Sequence, residues 1–259
     1  MSAAFPRLLL TGLLAGAVLL AGCAATAPQG QQTEAAQRRA QARLELASAY
    51  LENGQARTAL EEVDKALAAD AQSAPAHDLR GLALASLGRA GEAQASFERA
   101  LQLDARDAGA MHNFGWFLCQ QQRWDEAQAW LERALAQPGY EGGARSLLAL
   151  GVCQARAQRW AAAERSLTLA LERDPAQAVA ALNLAEVLLR QGQAERARLQ
   201  LQRVSITSAQ ADAATLWLAT RIEHRLGRHA AVEALGRELR QRFPQAPQTL
   251  ALDQGRFDD

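Results

Sequence analysis

The chain has 259 residues, 28 Lys and Arg balanced by 28 Asp and Glu, and 49% apolar residues. This neutral balance excludes the concentrated basic surface that binding to nucleic acid requires. The composition is rich in Ala, Leu, Gln and Arg and poor in β-branched residues, which favours helix over most of the chain. We therefore predict an all-α protein with enough apolar residues to bury a core.

Residues 1–22 have the features of an export signal. Arg7 precedes an apolar run over Leu8–Leu20, which is too short for a comfortable membrane span. The run ends in Leu-Ala-Gly-Cys at 20–23, which resembles a bacterial lipobox. The resemblance implies cleavage before Cys23 and acylation of its thiol, so that lipid chains would hold the protein on a membrane. The alternative is an ordinary buried cysteine after an apolar segment.

The residues after Cys23 indicate which membrane the protein is sent to and predict a flexible linker. Ala24 follows the cysteine, where Asp would be the inner-membrane retention signal in many Gram-negative bacteria. We therefore expect an outer-membrane protein that is lipid-anchored and faces the periplasm. Small and polar residues come next, and they predict a flexible tether over 23–39.

The rest of the chain repeats with a period near 34 residues, and two small residues mark each period. The first small position is occupied by Ala47, Gly81, Gly115, Gly151, Ala185 and Thr220. The second is occupied by Ala59, Ala93, Ala127, Ala163, Ala197 and Val232. Between the two positions, the predicted turn is marked by Gly54, Gly88, Gly192 and Gly227, and by Gln122 and Gln158 in the two central repeats.

This period and pattern resemble the tetratricopeptide repeat. The resemblance implies an α-solenoid in which about six helix pairs form a right-handed superhelix. We place the pairs at about 40–73, 74–107, 108–143, 144–177, 178–211 and 213–246, and a C-terminal tail at 247–259.

Motifs of catalysis and metal binding are missing from the sequence. The four histidines form no HExxH pattern, and there is no GxSxG elbow, no P-loop and no GxGxxG after a strand. Carboxylate pairs such as Glu61-Glu62 are explained by helix dipoles and by ion pairs one turn apart. We therefore expect no enzyme, no catalytic residue, no metal, no cofactor and no small-molecule substrate.

Two cysteines carry a covalent prediction. Cys119 and Cys153 lie at similar heights on the first helices of the third and fourth repeats, which should be neighbours. Because the periplasm is oxidising, we predict a disulfide between them. Two buried free thiols are the alternative.

The third repeat supports a narrower resemblance. Its first helix reads MHNFGWFLC over 111–119, which resembles the NNYGxFLC segment of the type IV pilus biogenesis and stability lipoproteins, the PilW/PilF-like pilotins. Cys153 and the segment LRQRFP at 239–244 resemble further parts of that family. The resemblance implies help for the outer-membrane secretin in localisation or multimerisation, and support for pilus stability. Partners would be the secretin or other pilus assembly proteins.

Repeat geometry places candidate partner-binding residues on the first helix of each pair. They are Asp78, Leu82, His112, Asn113, Trp116, Gln120, Arg145, Leu148, Val152, Arg156, Asn183, Glu186 and Arg190, with Trp217, Arg221 and Arg225 further along. A mixed apolar, Asn and Arg lining suits a peptide from a partner protein. The alternative function is a tetratricopeptide lipoprotein scaffold for cell-wall hydrolases or for outer-membrane protein assembly.

Overall fold

The computed structural model describes residues 29–203 and 211–257, in which thirteen helices and no strand occur. The helices are α1 (Gln29–Glu52), α2 (Ala56–Ala69), α3 (Ala74–Ser86), α4 (Ala90–Leu103), α5 (Ala108–Gln120), α6 (Trp124–Leu135), α7 (Gly143–Arg156), α8 (Trp160–Arg173), α9 (Ala178–Arg190), α10 (Ala194–Leu201), α11 (Ala213–Arg225), α12 (His229–Arg242) and α13 (Pro247–Asp253). The predicted all-α solenoid is confirmed.

Helices α1 to α12 form six pairs that stack in chain order. Each odd-numbered helix packs on the even-numbered helix that follows it, and on the next odd-numbered helix. Successive even-numbered helices make no such contact within the described part of the chain. The stack therefore curves, with the odd-numbered helices on its inner side.

Local chemistry explains where the helices begin and end. Ser73 and Asp107 precede α3 and α5, and each side-chain oxygen accepts a hydrogen bond from a backbone N–H of the first turn. Helices α8 and α12 end just before Pro175 and Pro244, where proline cannot continue a helix.

The predicted small positions lie where paired helices approach closely. Ala59, Ala93, Ala127, Ala163 and Ala197 have no exposed surface. At the first small position, a Cβ added to Gly81 or Gly151 would lie 2.6 Å from an atom of Phe97 or Leu167. Glycine is required at these two positions because a large side chain of the second helix occupies the space.

The turns inside the pairs use a left-handed residue. Gly54, Gly88, Gly192 and Gly227 all have φ between 69° and 78°. Gln122 and Gln158 adopt φ values of 61° and 58° at the equivalent sites, as the sequence alignment of the repeats predicts. A side chain in this conformation is strained, which glycine avoids.

The two ends of the stack differ from expectation. Helix α1 begins at Gln29, so the predicted tether over 23–39 is helical in its second part, where Gln, Ala, Glu and Arg favour helix. The predicted tail at 247–259 contains α13, which Pro247 begins. The export signal and Cys23 lie outside the described residues. No described helix combines the length and hydrophobicity needed to cross a bilayer.

Candidate partner-binding groove

The inner side of the stack carries the candidate residues. Helix α3 supplies Asp78 and Leu82, α5 supplies Asn113, Trp116 and Gln120, and α7 supplies Arg145, Leu148, Val152 and Arg156. We call these nine residues the inner groove. Asn183, Glu186 and Arg190 lie further along, on α9.

A hydrogen bond joins the first two helices of the inner groove. Nδ2 of Asn113 donates to Oδ2 of Asp78 at 2.8 Å. Oδ1 of Asp78 is inaccessible to solvent and has no hydrogen-bond partner among the described residues. Burial raises the pKa of Asp78 to about 7, and the charge of Asp107 adds to the rise, against the opposing effects of Asn113 and Arg145. Asp78 therefore fixes the Asn113 amide rather than offering a free carboxylate.

The prediction that His112 faces the groove is wrong. Its side chain is buried, with 7% exposure, and Nδ1 lies 2.8 Å from Oγ of Ser146 in a hydrogen bond. The hydroxyl of Tyr140, from the long loop after α6, lies 3.0 Å from the same Oγ. Burial, helped by the charge of Arg145, lowers the pKa of His112 to about 4. His112 is thus a neutral core residue that ties α5 to α7.

The middle of the inner groove combines an aromatic ring with two cations. Trp116 is half-buried, and the guanidinium of Arg156 lies 5.3 Å from the centre of its ring. Arg145 is exposed and forms no ion pair with any described residue. The half-buried Leu148 and Val152 lie between these two arginines on α7. The arrangement can bind a peptide that offers apolar side chains and anionic or carbonyl oxygens.

The C-terminal part of the inner side is partly covered, whereas the sequence predicted an accessible surface there. Glu186 forms ion pairs with Arg190 and Arg221, with N to O distances of 2.8 and 2.9 Å. Trp217 and Arg221 are buried, with 9% and 7% exposure, because the segment after α13 lies over them. Arg225 is exposed at the end of α11.

Cys119 and Cys153 form a disulfide between α5 and α7, with their Cα atoms 5.7 Å apart. Both side chains are buried, with 0% and 2% exposure. The bridge holds together the two helices that supply most of the inner groove.

Three residues of this region could not be assigned roles from the sequence. The contact between Tyr140 and Ser146 could not be predicted, because Tyr140 lies in an irregular loop and Ser146 belongs to no recognisable motif. Phe257 lies beyond the last repeat, where no periodicity guides an assignment. Among the residues that the structure describes, no three His, Cys, Asp or Glu side chains are grouped in a way that could hold a metal ion.

A stack of helix pairs with a mixed apolar and polar inner surface defines a helical-repeat protein that binds other proteins. Residues 84–151 and 154–219 match one tetratricopeptide repeat family, and residues 44–110 match a second. The chain belongs to the tetratricopeptide repeat proteins.

Solved structures narrow this similarity. The chain resembles PilW, a widely conserved type IV pilus biogenesis factor, with 27% identity and a TM-score of 0.77 over 82% of this chain and 97% of that one. It also resembles PilF of Pseudomonas aeruginosa, with 24% identity and a TM-score of 0.76 over 86% of this chain and 99% of that one. The resemblance to the pilus proteins is confirmed.

A more distant likeness is limited to the fold. YrrB, a tetratricopeptide repeat protein with an unusual peptide-binding site, is 22% identical, with a TM-score of 0.53 over 72% of this chain and 95% of that one. None of the curated protein sequences matches this chain significantly.

Proposed function

We propose that this protein is a lipid-anchored outer-membrane adaptor that assists type IV pilus biogenesis by binding the secretin. The observation that carries the proposal is the similarity to PilW over nearly the whole of that chain. The lipobox that ends at Cys23 supports the anchor, and the residue Ala24 supports the outer membrane as the destination. The adaptor would help the secretin to reach its membrane or to multimerise there, and would support pilus stability.

The proposed mechanism is binding alone, with no chemical step. A segment of the secretin would cover the half-buried Trp116 with apolar side chains and pair its oxygens with Arg145 and Arg156. The amide oxygen of Asn113 accepts no hydrogen bond from any described residue, so it is available to a backbone N–H of the partner. Buried aromatic and Arg side chains commonly carry most of the affinity of such interfaces.

Capture of purified secretin by immobilised protein tests this placement. Trp116→Ala and Asn113→Ala should each reduce the capture, and Trp116→Ala should reduce it at least about tenfold, as expected for an aromatic anchor. Trp130→Ala is the matched control, because Trp130 is also half-buried and also has a guanidinium over its ring, that of Arg133 at 3.9 Å. Trp130 lies on α6, outside the inner groove, so its variant should capture secretin normally.

Four outcomes would count against parts of the proposal. If both groove variants are shown by circular dichroism to be folded and still capture the secretin undiminished, the inner groove is not the contact. No capture by the unmodified protein would refute the secretin as partner, and capture of a cell-wall hydrolase instead would favour the scaffold function. In cells, normal heat-resistant secretin multimers after deletion of the gene would refute the role in secretin assembly.

A further inference from the structure

The inner face of α11 is covered by the chain's own C-terminal segment. After α13 the backbone turns at Gly255, with φ of 67°, and brings Phe257 back onto α11. The ring of Phe257 stacks on that of His224, with centroids 3.8 Å apart and planes inclined by 11°. The ring of Phe257 also stacks on that of Trp217, with centroids 5.5 Å apart and planes inclined by 27°. One aromatic side chain is thus held by two others.

The backbone of the same segment is also recognised. Nε of Arg221 donates a hydrogen bond to the carbonyl oxygen of Phe257 at 3.1 Å. The Arg221 side chain is 8% exposed, and its Nη1 forms an ion pair with Glu186 at 2.9 Å. Glu186 therefore orients a buried guanidinium, which then binds a main-chain carbonyl. Main-chain recognition of this kind does not depend on the sequence of the segment, so the ring supplies the selectivity.

Positive charge predominates around the contact. A cavity of about 380 Å³ lies beside Phe257, and its lining includes Arg190, Arg221 and Arg225. Among the described residues, Glu186 pairs with the first two of these arginines and is the one carboxylate that the structure places against them. In the sequence, Phe257 is followed by Asp258 and Asp259. Acidic residues next to the aromatic ring would complement this lining.

We propose that the inner face of α11 is a binding site for an extended peptide in which an aromatic residue is followed by acidic residues, and that Phe257 occupies this site within the chain. A partner segment of that composition competes with the resident segment for Trp217, Arg221 and His224. The site lies outside the inner groove, so it is separate from the proposed contact with the secretin.

The covalent connection gives the resident segment an advantage. A ligand joined to its site by a short linker acts at an effective concentration on the order of millimolar. A peptide added in solution therefore binds the unmodified protein poorly, and binds well only when Phe257 no longer fills the site.

Peptide binding to the full-length chain tests the proposal. The probe is a fluorescein-labelled peptide with the sequence of residues 253–259, DQGRFDD, measured by fluorescence anisotropy. Phe257→Ala should bind it with a sub-millimolar Kd, and at least about tenfold more tightly than the unmodified protein does. Adding Trp217→Ala to Phe257→Ala should abolish binding, and a peptide with Ala in place of its Phe should not bind.

Leu250→Ala is the matched control, because Leu250 is a 54% exposed apolar residue of α13. This variant should bind the peptide as poorly as the unmodified protein does. If Phe257→Ala loses helical circular dichroism, Phe257→Leu serves instead, since it keeps an apolar side chain without the aromatic stacking. If the folded Phe257 variant does not bind the peptide, the proposal is overturned. Equal binding by this variant and by the unmodified protein would also overturn it.

Discussion

Asn113 and Asp78 join the third repeat to the second by a side-chain hydrogen bond of 2.8 Å, while the residue before Asn113, His112, bonds in the other direction to Ser146 of the fourth repeat. Burial favours the neutral forms of Asp78 and His112 in the folded protein. Burial raises the pKa of Asp78 to about 7 and lowers that of His112 to about 4. Their effects on stability therefore have opposite dependence on pH.

Asp78 should destabilise the fold as the pH rises. An unfolded Asp has a pKa of about 3.9, so between about pH 4 and pH 7 only the folded state keeps the proton. The contribution of Asp78 to the free energy of unfolding is highest below this window, falls through it by at most about 1.4 kcal/mol per pH unit, and then levels off. Asp78→Asn should remove this loss, raising the Tm at pH 8 and leaving it nearly unchanged at pH 4. Thermal melts at the two pH values measure the difference.

The control for this experiment is Asp125→Asn, because the Asp125 side chain is 86% exposed. Asp125 forms one exposed ion pair, with Arg159 at 2.6 Å, so its replacement should alter the Tm little and should not raise it at pH 8. A Tm of Asp78→Asn that is lower than that of the unmodified protein at pH 8 would contradict the pH argument.

His112 should act in the opposite sense. The unfolded imidazole binds a proton below about pH 6.5, whereas the folded one stays neutral down to about pH 4. Stability is therefore lost as the pH falls from 6.5 to 4. In the unmodified protein, this loss offsets the gain from Asp78, so stability should vary little across that window. His112→Gln, which cannot become charged, should make the protein more stable at pH 4.5 than at pH 6.5 in chemical unfolding. A stability that falls on acidification of this variant would refute the offset.

Reduction of the disulfide should weaken the fold. Cys119 and Cys153 are 34 residues apart, and closing a loop of that size is worth about 3–4 kcal/mol in the chain-entropy account. We expect a loss of that order in the free energy of unfolding when dithiothreitol is added. The double variant Cys119→Ala, Cys153→Ala should be insensitive to dithiothreitol. Equal stability of the unmodified protein with and without the reductant would show that the bridge contributes nothing.

Glycine should stabilise the protein more than glutamine does at the two turns where Gln122 and Gln158 are left-handed. Gln158 has φ of 58°, a conformation that costs a residue with a side chain about 1–2 kcal/mol. Gln158→Gly should relieve most of this cost, less the entropy that glycine adds to the unfolded chain, for a net gain of about 0.5–1 kcal/mol. Thermal unfolding should show a Tm higher by about 2 °C or more. The neighbouring Ala157 has φ of −78°, so Ala157→Gly should lower the Tm.

Two glycines offer a matched test of close packing. A Cβ at Gly151 would lie 2.6 Å from Cγ of the buried Leu167, so Gly151→Ala should destabilise the protein by about 1–3 kcal/mol. Gly91, in α4, has nothing within 4 Å of the same position, so Gly91→Ala should be neutral or stabilise by up to about 1 kcal/mol. Chemical unfolding of both variants measures the contrast, and similar free energies would refute the packing argument.

The repeat architecture could be predicted from the sequence because its demands are local. Helices that pack as closely as α7 and α8 require a small residue such as Gly151, and a left-handed turn favours glycine, so both leave a mark in every period. The Cys119–Cys153 pair could be proposed for the same reason, since a known period places neighbouring helices in register.

The side-chain contacts that define the groove could not be predicted in this way. Helical position alone puts His112 on the inner face, but its orientation depends on Ser146, 34 residues away, and on Tyr140 in an irregular loop. The burial of Arg221 depends on Phe257, which belongs to no repeat. The spacing of His112 and Ser146 equals the repeat period, but the period does not fix which side chains meet there, and Tyr140 and Phe257 lie outside the repeating positions.

The last helix limits how far the architecture can extend. Leu252 of α13 lies over Gly236 of α12 and belongs to the same apolar cluster as Leu239. Helix α13 thus occupies the face of α12 on which a seventh helix pair, or the end of a second molecule, would otherwise pack. End-to-end association of two molecules on this face would therefore require α13 to move away first.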